Sequence, residues 1–296
     1  MMEANTRKNT GVSPWNALWM RVPVIVRAVL TGFLLAAAGT IPWALLVSAN
    51  TKHWPTIPWA VLPAAFYLWF FWRFACGEGL PRSIAQVRRA RCRANPLATG
   101  VWGPALLAGV LGLATVVLFQ RVMTRLVTLP QQQDSALSLV PFITQLLWVM
   151  MGSLVAGVVE ETSFRGYMQQ PIEQRHGPVI AILVTGSLFG FAHFTHPEVG
   201  LILLPYYLLV AAVYGMLASL TNSIFPSMVL HTAGNMLGAL ALFTQGRSEW
   251  QASAIPTPLI WETGLDASFL IAVILLLAVG AAAVAAYFAL AREKKW

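Results

Sequence analysis

Charge is what this sequence has least of. Only 10% of its 296 residues are charged, against about 25% in a soluble globular domain, and 57% are hydrophobic. That ratio excludes a water-solvated fold with a polar shell and points to lipid as the main solvent. Cysteine is scarce too. The two residues, Cys76 and Cys92, form no Cys-x-x-Cys pair and lie near no histidine at metal-ligand spacing, so no chemistry is assigned to them. The leader lacks a compact apolar core followed by a small-residue cleavage site, so no removable signal peptide is expected and the first membrane helix serves as the insertion signal. Within that leader Trp15, Leu18, Trp19 and Val22 recur at helical spacing beside Arg21, which suits a short helix at the membrane interface.

What remains is mostly long apolar runs. A membrane-spanning helix needs about 20 apolar residues, and candidate spans fall at 24–48, 57–74, 101–119, 141–170, 179–194, 201–220, 224–243 and 267–291. The predicted fold is therefore all-α, a polytopic transmembrane bundle of about eight helices. It divides into a cytoplasmic or interfacial leader (1–23), three N-terminal membrane helices (24–140), a set of four that carries the chemistry (141–244), and an external loop, last helix and basic tail (245–296). Basic residues concentrate beside the spans: Arg7, Lys8 and Arg21 at the start, Arg82 to Arg93 after the second span, and Arg292, Lys294 and Lys295 at the end. By the positive-inside rule all three groups face the cytoplasm. An even span count with both termini inside satisfies this, with Arg121 and Arg125 as exceptions in an outer loop. The net charge of +8 needs no nucleic-acid partner, because topology accounts for it.

Ionisable groups inside a span cost roughly 2.5 to 3.5 kcal/mol each at the helix centre, so they are functional candidates. Glu160 and Glu161 lie in the fourth span, His193 closes the fifth, and the seventh carries His231 and Asn235. At 1.5 Å per helical residue, Glu160, His193 and His231 lie about 15, 22 and 10 Å from the cytoplasmic turns, close enough to converge on one cavity. Glu161 and Arg165 are four apart, the spacing of an ion pair on one helix face, which leaves Glu160 as the free carboxylate about 100° around the helix. His231 and Asn235 share a face by the same spacing. A carboxylate beside a histidine can deprotonate water, and a histidine with an asparagine can stabilise an oxyanion.

Glu-Glu-x-x-x-Arg, Phe-x-x-x-His and His-x-x-x-Asn, each on its own apolar helix and in this order between Glu160 and Asn235, resemble the three-motif signature of the CAAX prenyl endopeptidase and bacteriocin-processing (CPBP, or Abi) family. The resemblance implies a helical intramembrane endopeptidase of the glutamate type that needs no bound metal. Glu160 and His193 would activate water, and His231 and Asn235 would hold the oxyanion. Membrane lipid and a peptide or membrane-anchored protein substrate are the implied partners, with the oligomeric state open; the absence of a transit-like N-terminus makes a bacterial inner membrane the expected setting. The family also contains bacteriocin-immunity and partner-binding members, so a non-catalytic membrane protein is the alternative. Zinc held by Glu160, His193 and His231 ranks lower, because His-Glu-x-x-His is missing. Phe164 and Phe189 are expected to pack, Tyr206, Tyr207 and Tyr214 fit interface or core equally, His196 marks a helix end, and Glu173 and His176 are expected to be solvated.

Overall fold

The computed structural model describes residues 14–128, 140–193, 197–245 and 258–292. Arg7, Lys8, His196, Trp250, Lys294 and Lys295 lie outside the described residues, as does the side chain of Trp15. The described chain is helical, with no strand among the described residues. In order the helices are α1 (Pro14–Arg21), α2 (Val24–Lys52), α3 (Val61–Ala75), α4 (Ala85–Cys92), α5 (Thr99–Leu126), α6 (Phe142–Glu160), α7 (Gln170–His176), α8 (Pro178–Ala192), α9 (Pro197–Thr221), α10 (Phe225–Gln245), α11 (Ile260–Thr263) and α12 (Ala267–Arg292).

Each of the eight predicted spans has its helix. Among the described residues five are long and apolar enough to cross a membrane: α2, α5, the continuous rod from Phe142 to His176, residues Leu201–Thr221 of α9, and α12. The apolar helices α3 and α8 have 15 residues each, about 22 Å of rise, short of a hydrocarbon core of about 30 Å. Large apolar side chains such as Leu34, Leu62 and Leu277 stand exposed on the outer surface, a face that lipid rather than water solvates. The protein is an integral membrane helical bundle.

The rod from Phe142 to His176 contains a feature that no apolar period signals. Between α6 and α7, residues Glu161–Gln169 form a π-helix, a wider coil whose backbone hydrogen bonds skip five residues. All nine of its residues are buried. Around it pack α2, α4, α8 and α9, and glycine permits the closest approaches. A Cβ on Gly32 of α2 would lie 3.2 Å from the Ser163 carbonyl oxygen and 2.7 Å from Met168 Cε. One on Gly166 would lie 2.8 Å from the Arg91 carbonyl oxygen and 3.0 Å from that of Cys92. Downstream, the rod stops at Gly177, whose φ of +83° suits glycine, and Pro178 opens α8 at a position where no amide donor is needed.

Polar networks join the helix ends on two opposite faces. On one, Arg93 at the end of α4 donates to both carboxylate oxygens of Glu173 at 2.9 and 3.1 Å, and to Asn222 Oδ1 at 3.2 Å. Ser219 donates to Glu173 Oε1 at 2.8 Å, and Asn95 to the Asn222 carbonyl at 2.7 Å. Glu173 was expected to be solvated; instead it ties α4, α7 and the α9–α10 turn together, because a charged partner eighty residues upstream in sequence folds onto it. His176 is exposed. On the other face Asn50 at the end of α2 donates to the carbonyls of Trp54 and Ile57 at 3.1 and 2.8 Å and accepts from Ala60 N–H and Trp148 Nε1 at 3.1 and 3.2 Å.

On that same second face Arg125, set apart above as an exception to the charge rule, is buried and neutralised. It bonds the Pro258 carbonyl at 2.8 Å and Asp266 at 2.5 Å. The Arg125 hydrogen bond is the main cause that holds the Asp266 carboxyl far below the usual carboxylate range, with Ser268 and the Phe269 amide adding to it. Cys76 and Cys92, given no chemistry from their spacing, are bonded to one another and link the end of α3 to the end of α4.

Replacing Gly166 with alanine forces a methyl group against two backbone carbonyls that cannot rotate away, an overpacking cost of about 1 to 3 kcal/mol. Thermal unfolding in detergent should fall for Gly166→Ala and stay unchanged for Gly100→Ala, where the added methyl meets nothing within 4 Å.

Candidate active site

The site forms where the α6–π junction, the end of α8, the middle of α9 and the first half of α10 meet. Glu160 is the last residue of α6, and Glu161 the first of the π-helix. Glycine again sets the approach. A Cβ on Gly157 would collide with Thr232 Oγ1 and lie 3.2 Å from the Met228 carbonyl, so α10 rests directly on α6 one turn before the two glutamates.

That approach delivers His231 to both acids. Its Nδ1 lies 2.8 Å from Glu161 Oε1, and its Nε2 lies 3.7 Å from Glu160 Oε2. A carboxylate only accepts, so the Nδ1 carries the proton toward Glu161. Glu161 is also 3.1 Å from Arg165 Nη1. All three of these side chains are nearly or wholly buried, with Glu161 at 0% exposure, Arg165 at 1% and His231 at 6%. A charge removed from water is tolerated only when paired, and here one carboxylate is shared between a guanidinium and an imidazole.

Glu160 is different. Its side chain keeps 18% of its surface, and, although Oε2 of each acid is buried with no hydrogen-bond partner among the described residues, only Glu161 of the two is paired there with an arginine. Glu160 is an acceptor held beside a histidine nitrogen with capacity unused.

The second histidine reaches the same place through an aromatic frame. His193 caps α8; its Nδ1 donates to the Phe189 carbonyl at 2.8 Å, which leaves Nε2 of the neutral ring as an acceptor. Its ring lies 4.3 Å from that of Phe189 and 5.2 Å from that of Tyr207. Phe189 in turn stands 6.4 Å from the His231 ring and 4.9 Å from the Arg165 guanidinium carbon. Tyr214 stacks on His231 at 5.0 Å with 11° between the planes and lies 5.3 Å from that same carbon. The two histidines therefore flank one phenylalanine ring. His193 is exposed and His231 buried.

Asn235 is one turn beyond His231 on α10 and half-buried. The neighbouring Gly234 sits close to the Tyr214 hydroxyl, 3.7 Å from where its Cβ would be. Among the described residues no three His, Cys, Asp or Glu side chains gather into a metal-binding group.

Two features of this geometry differ from the picture drawn from spacing. Glu161 does more than neutralise Arg165, since it also fixes the tautomer and tilt of His231. And the two adjacent acids meet the same imidazole, one at each nitrogen, instead of serving separate partners. Spacing alone pointed only to the intrahelical pair, because the Glu161–His231 bond joins residues 70 apart. Tyr207 and Tyr214, left undecided above, prove to be packing partners of the two histidines; their seven-residue separation, two helical turns on one face, is the signal that was available.

Residues 142–237 match the family model described as type II CAAX prenyl endopeptidase Rce1-like. The likeness covers about a third of the chain. The matched stretch begins at the first turn of α6 and ends two residues past Asn235, so it contains all the site residues named here. No curated protein and no solved structure matches the chain. The likeness is to an endopeptidase family, and hydrolysis of a peptide bond is the chemistry it supports.

Substituting Glu161 with glutamine leaves Arg165 buried without its counter-charge, a loss of about 3 to 5 kcal/mol for a broken buried pair. The double variant Glu161→Leu, Arg165→Met removes both charges and should unfold at a higher temperature than Glu161→Gln alone, as read by thermal denaturation of the purified protein.

Proposed function

We propose that the chain is an intramembrane endopeptidase that hydrolyses a peptide bond in a membrane-associated protein or peptide, with Glu160 as general base. The observation that carries this reading is the Glu160 carboxylate itself, with a buried, unpartnered oxygen 3.7 Å from a histidine nitrogen, on a segment with an Rce1-like sequence. Such a group holds a water molecule and takes its proton.

In this reading a peptide enters between the helices from the face that carries Arg93 and Glu173, the cytoplasmic one by the distribution of basic residues. A water hydrogen-bonded to Glu160 and to His193 Nε2 attacks the scissile carbonyl carbon and gives its proton to Glu160. The carbonyl oxygen becomes an oxyanion, which the Asn235 amide and the doubly protonated His231 ring, donating from Nε2, stabilise. Collapse breaks the carbon–nitrogen bond, and Glu160 returns the proton to the leaving amine. Glu161 acts through His231 by holding Nδ1, as an orienting residue. No metal takes part, the cell membrane of a bacterium is the setting, and both chain ends lie in the cytoplasm.

The first experiment maps the termini of membrane-associated proteins and secreted peptides by mass spectrometry in cells making the native chain or Glu160→Gln. Termini present only with the native chain are expected. Equal termini with both, at equal expression and with Glu160→Gln folded, would sink the mechanism. On a substrate found this way, Asn235→Ala should lower kcat by about 100- to 1,000-fold. His193→Ala should lower it by about 100- to 10,000-fold. Cleavage should persist in a chelator, and its loss there would favour zinc.

A further inference from the structure

Glu161 holds His231 by one edge of its ring, through the 2.8 Å contact at Nδ1. At the opposite edge Nε2 stands 3.7 Å from Glu160, beyond hydrogen-bond length. The flat face of the imidazole is held by a third residue, Tyr214 of α9. The two rings lie 5.0 Å apart with 11° between their planes, an offset parallel stack, and both side chains are buried, at 4% and 6% exposure. The Tyr214 hydroxyl lies toward Gly234, so the phenol runs along α10 beside the residue that precedes Asn235.

The backbone on either side of Tyr214 is pinned from two different elements. Tyr287 of α12 donates to the Val213 carbonyl at 2.9 Å, and Gln169 of the π-helix donates to the Gly215 carbonyl at 2.9 Å. A Cβ on Gly215 would lie 2.9 Å from both Gln169 Oε1 and Ile182 Cγ1, so glycine lets α9 sit flush against the π-helix and α8 at this level. Tyr214 therefore projects from a fixed stretch of helix. Unlike Phe189, it lies outside the three motifs.

The charges around His231 make this stack matter. Glu160 faces the ring from α6, and Glu161 and Arg165 face it from the π-helix. His193 stands on the far side of Phe189. The contact of α5 with α10 runs through Gly109 and Leu230, and the charged residues of α5, Arg121 and Arg125, lie toward its far end. Arg165 shares Glu161 with His231, so a positive imidazole ring has a guanidinium as its neighbour and only part of one carboxylate at Nδ1. The electron-rich face of an aromatic ring attracts a cation within about 6 Å, and more strongly where water is excluded. Tyr214 offers that face to the imidazole.

We propose that Tyr214 is a positioning residue that supports the doubly protonated form of His231 and keeps Nε2 aimed at the place where the oxyanion forms. The use made of that imidazolium rests on the proteolytic reading above; the stack itself does not. Tyr214 touches no reacting atom and acts through His231 alone.

Position 214 is replaced by phenylalanine and then by mono-, di- and trifluorinated phenylalanine through amber suppression in the full chain, a series that thins the electron density of the ring face at nearly constant shape. Protonation of His231 is followed by NMR of protein labelled with 15N-histidine, its signal identified by its loss in His231→Gln. Tyr214→Phe should bind the proton as the native protein does. Binding should then weaken with each fluorine, ending about 3- to 30-fold below the native value for the loss of a desolvated cation–π contact. Tyr214→Leu should match the trifluorinated variant. Equal titration across the series would overturn the proposal, and the constant shape separates that result from a loss of folding. With a cleaved substrate in hand, kcat should fall along the same series and its alkaline limb should move to lower pH by the same factor, while KM holds. A titration that moves while kcat does not would overturn the positioning role. Absence of cleavage by the native chain would instead sink the proteolytic reading, and the titration, which needs no substrate, would still decide the stack.

Discussion

One buried carboxylate holds the centre of this molecule together. Glu161 has no exposed surface and faces a guanidinium within its own rod and an imidazole from α10. In a lipid-solvated bundle apolar packing between helices gains little over packing against acyl chains, so close backbone approach and polar contacts decide which helices associate. The approach of Gly157 to Thr232 and the Glu161–His231 bond act at neighbouring levels of the same helix pair. Together they fix α10 against α6, and every other element of the candidate site is referred to that pair.

The π-helix is the geometric companion of this interaction. An ordinary membrane helix turns one stripe to its neighbours and another to lipid, but residues 161–169 are buried on every side. A wider coil in that position presents polar groups in more directions than an α-helix of equal length, and π segments occur frequently at functional sites. Its surroundings are the two glutamates at one end and, at the other, Gln169, which donates to the Gly215 carbonyl at 2.9 Å. The segment therefore connects the chemistry-bearing interior with the polar network around Glu173.

Much of this was legible in the sequence, for identifiable reasons. Long apolar runs report membrane helices directly, which is why all eight appear where the runs lie. Intrahelical spacing reports partners on one face, which is why Glu161 and Arg165 could be paired. Contacts between helices leave no such trace. Neither the Arg93–Glu173 bond, across 80 residues, nor the shared imidazole could be read from a periodicity. The π-helix was not legible either, since the glycine in Glu161 to Gln169, Gly166, is a residue that ordinary membrane helices also carry often. Tyr207 and Tyr214 had a readable spacing whose meaning depended on knowing that α9 faces both histidines.

The shortness of α3 and α8 has a consequence for the surrounding bilayer. A helix of about 22 Å leaves roughly 8 Å of an average hydrocarbon core unspanned, and α8 ends on the histidine at the edge of the candidate site. Hydrophobic mismatch of this size is met by local thinning of the lipid, at fractions of a kcal/mol per Å, or by water at the helix end, where unpaired carbonyls need it. Either response would dimple the membrane next to His193 and bring the aqueous boundary closer to the mid-plane there than along the long helices. Solvent would then reach this part of the protein through a deformation of its host.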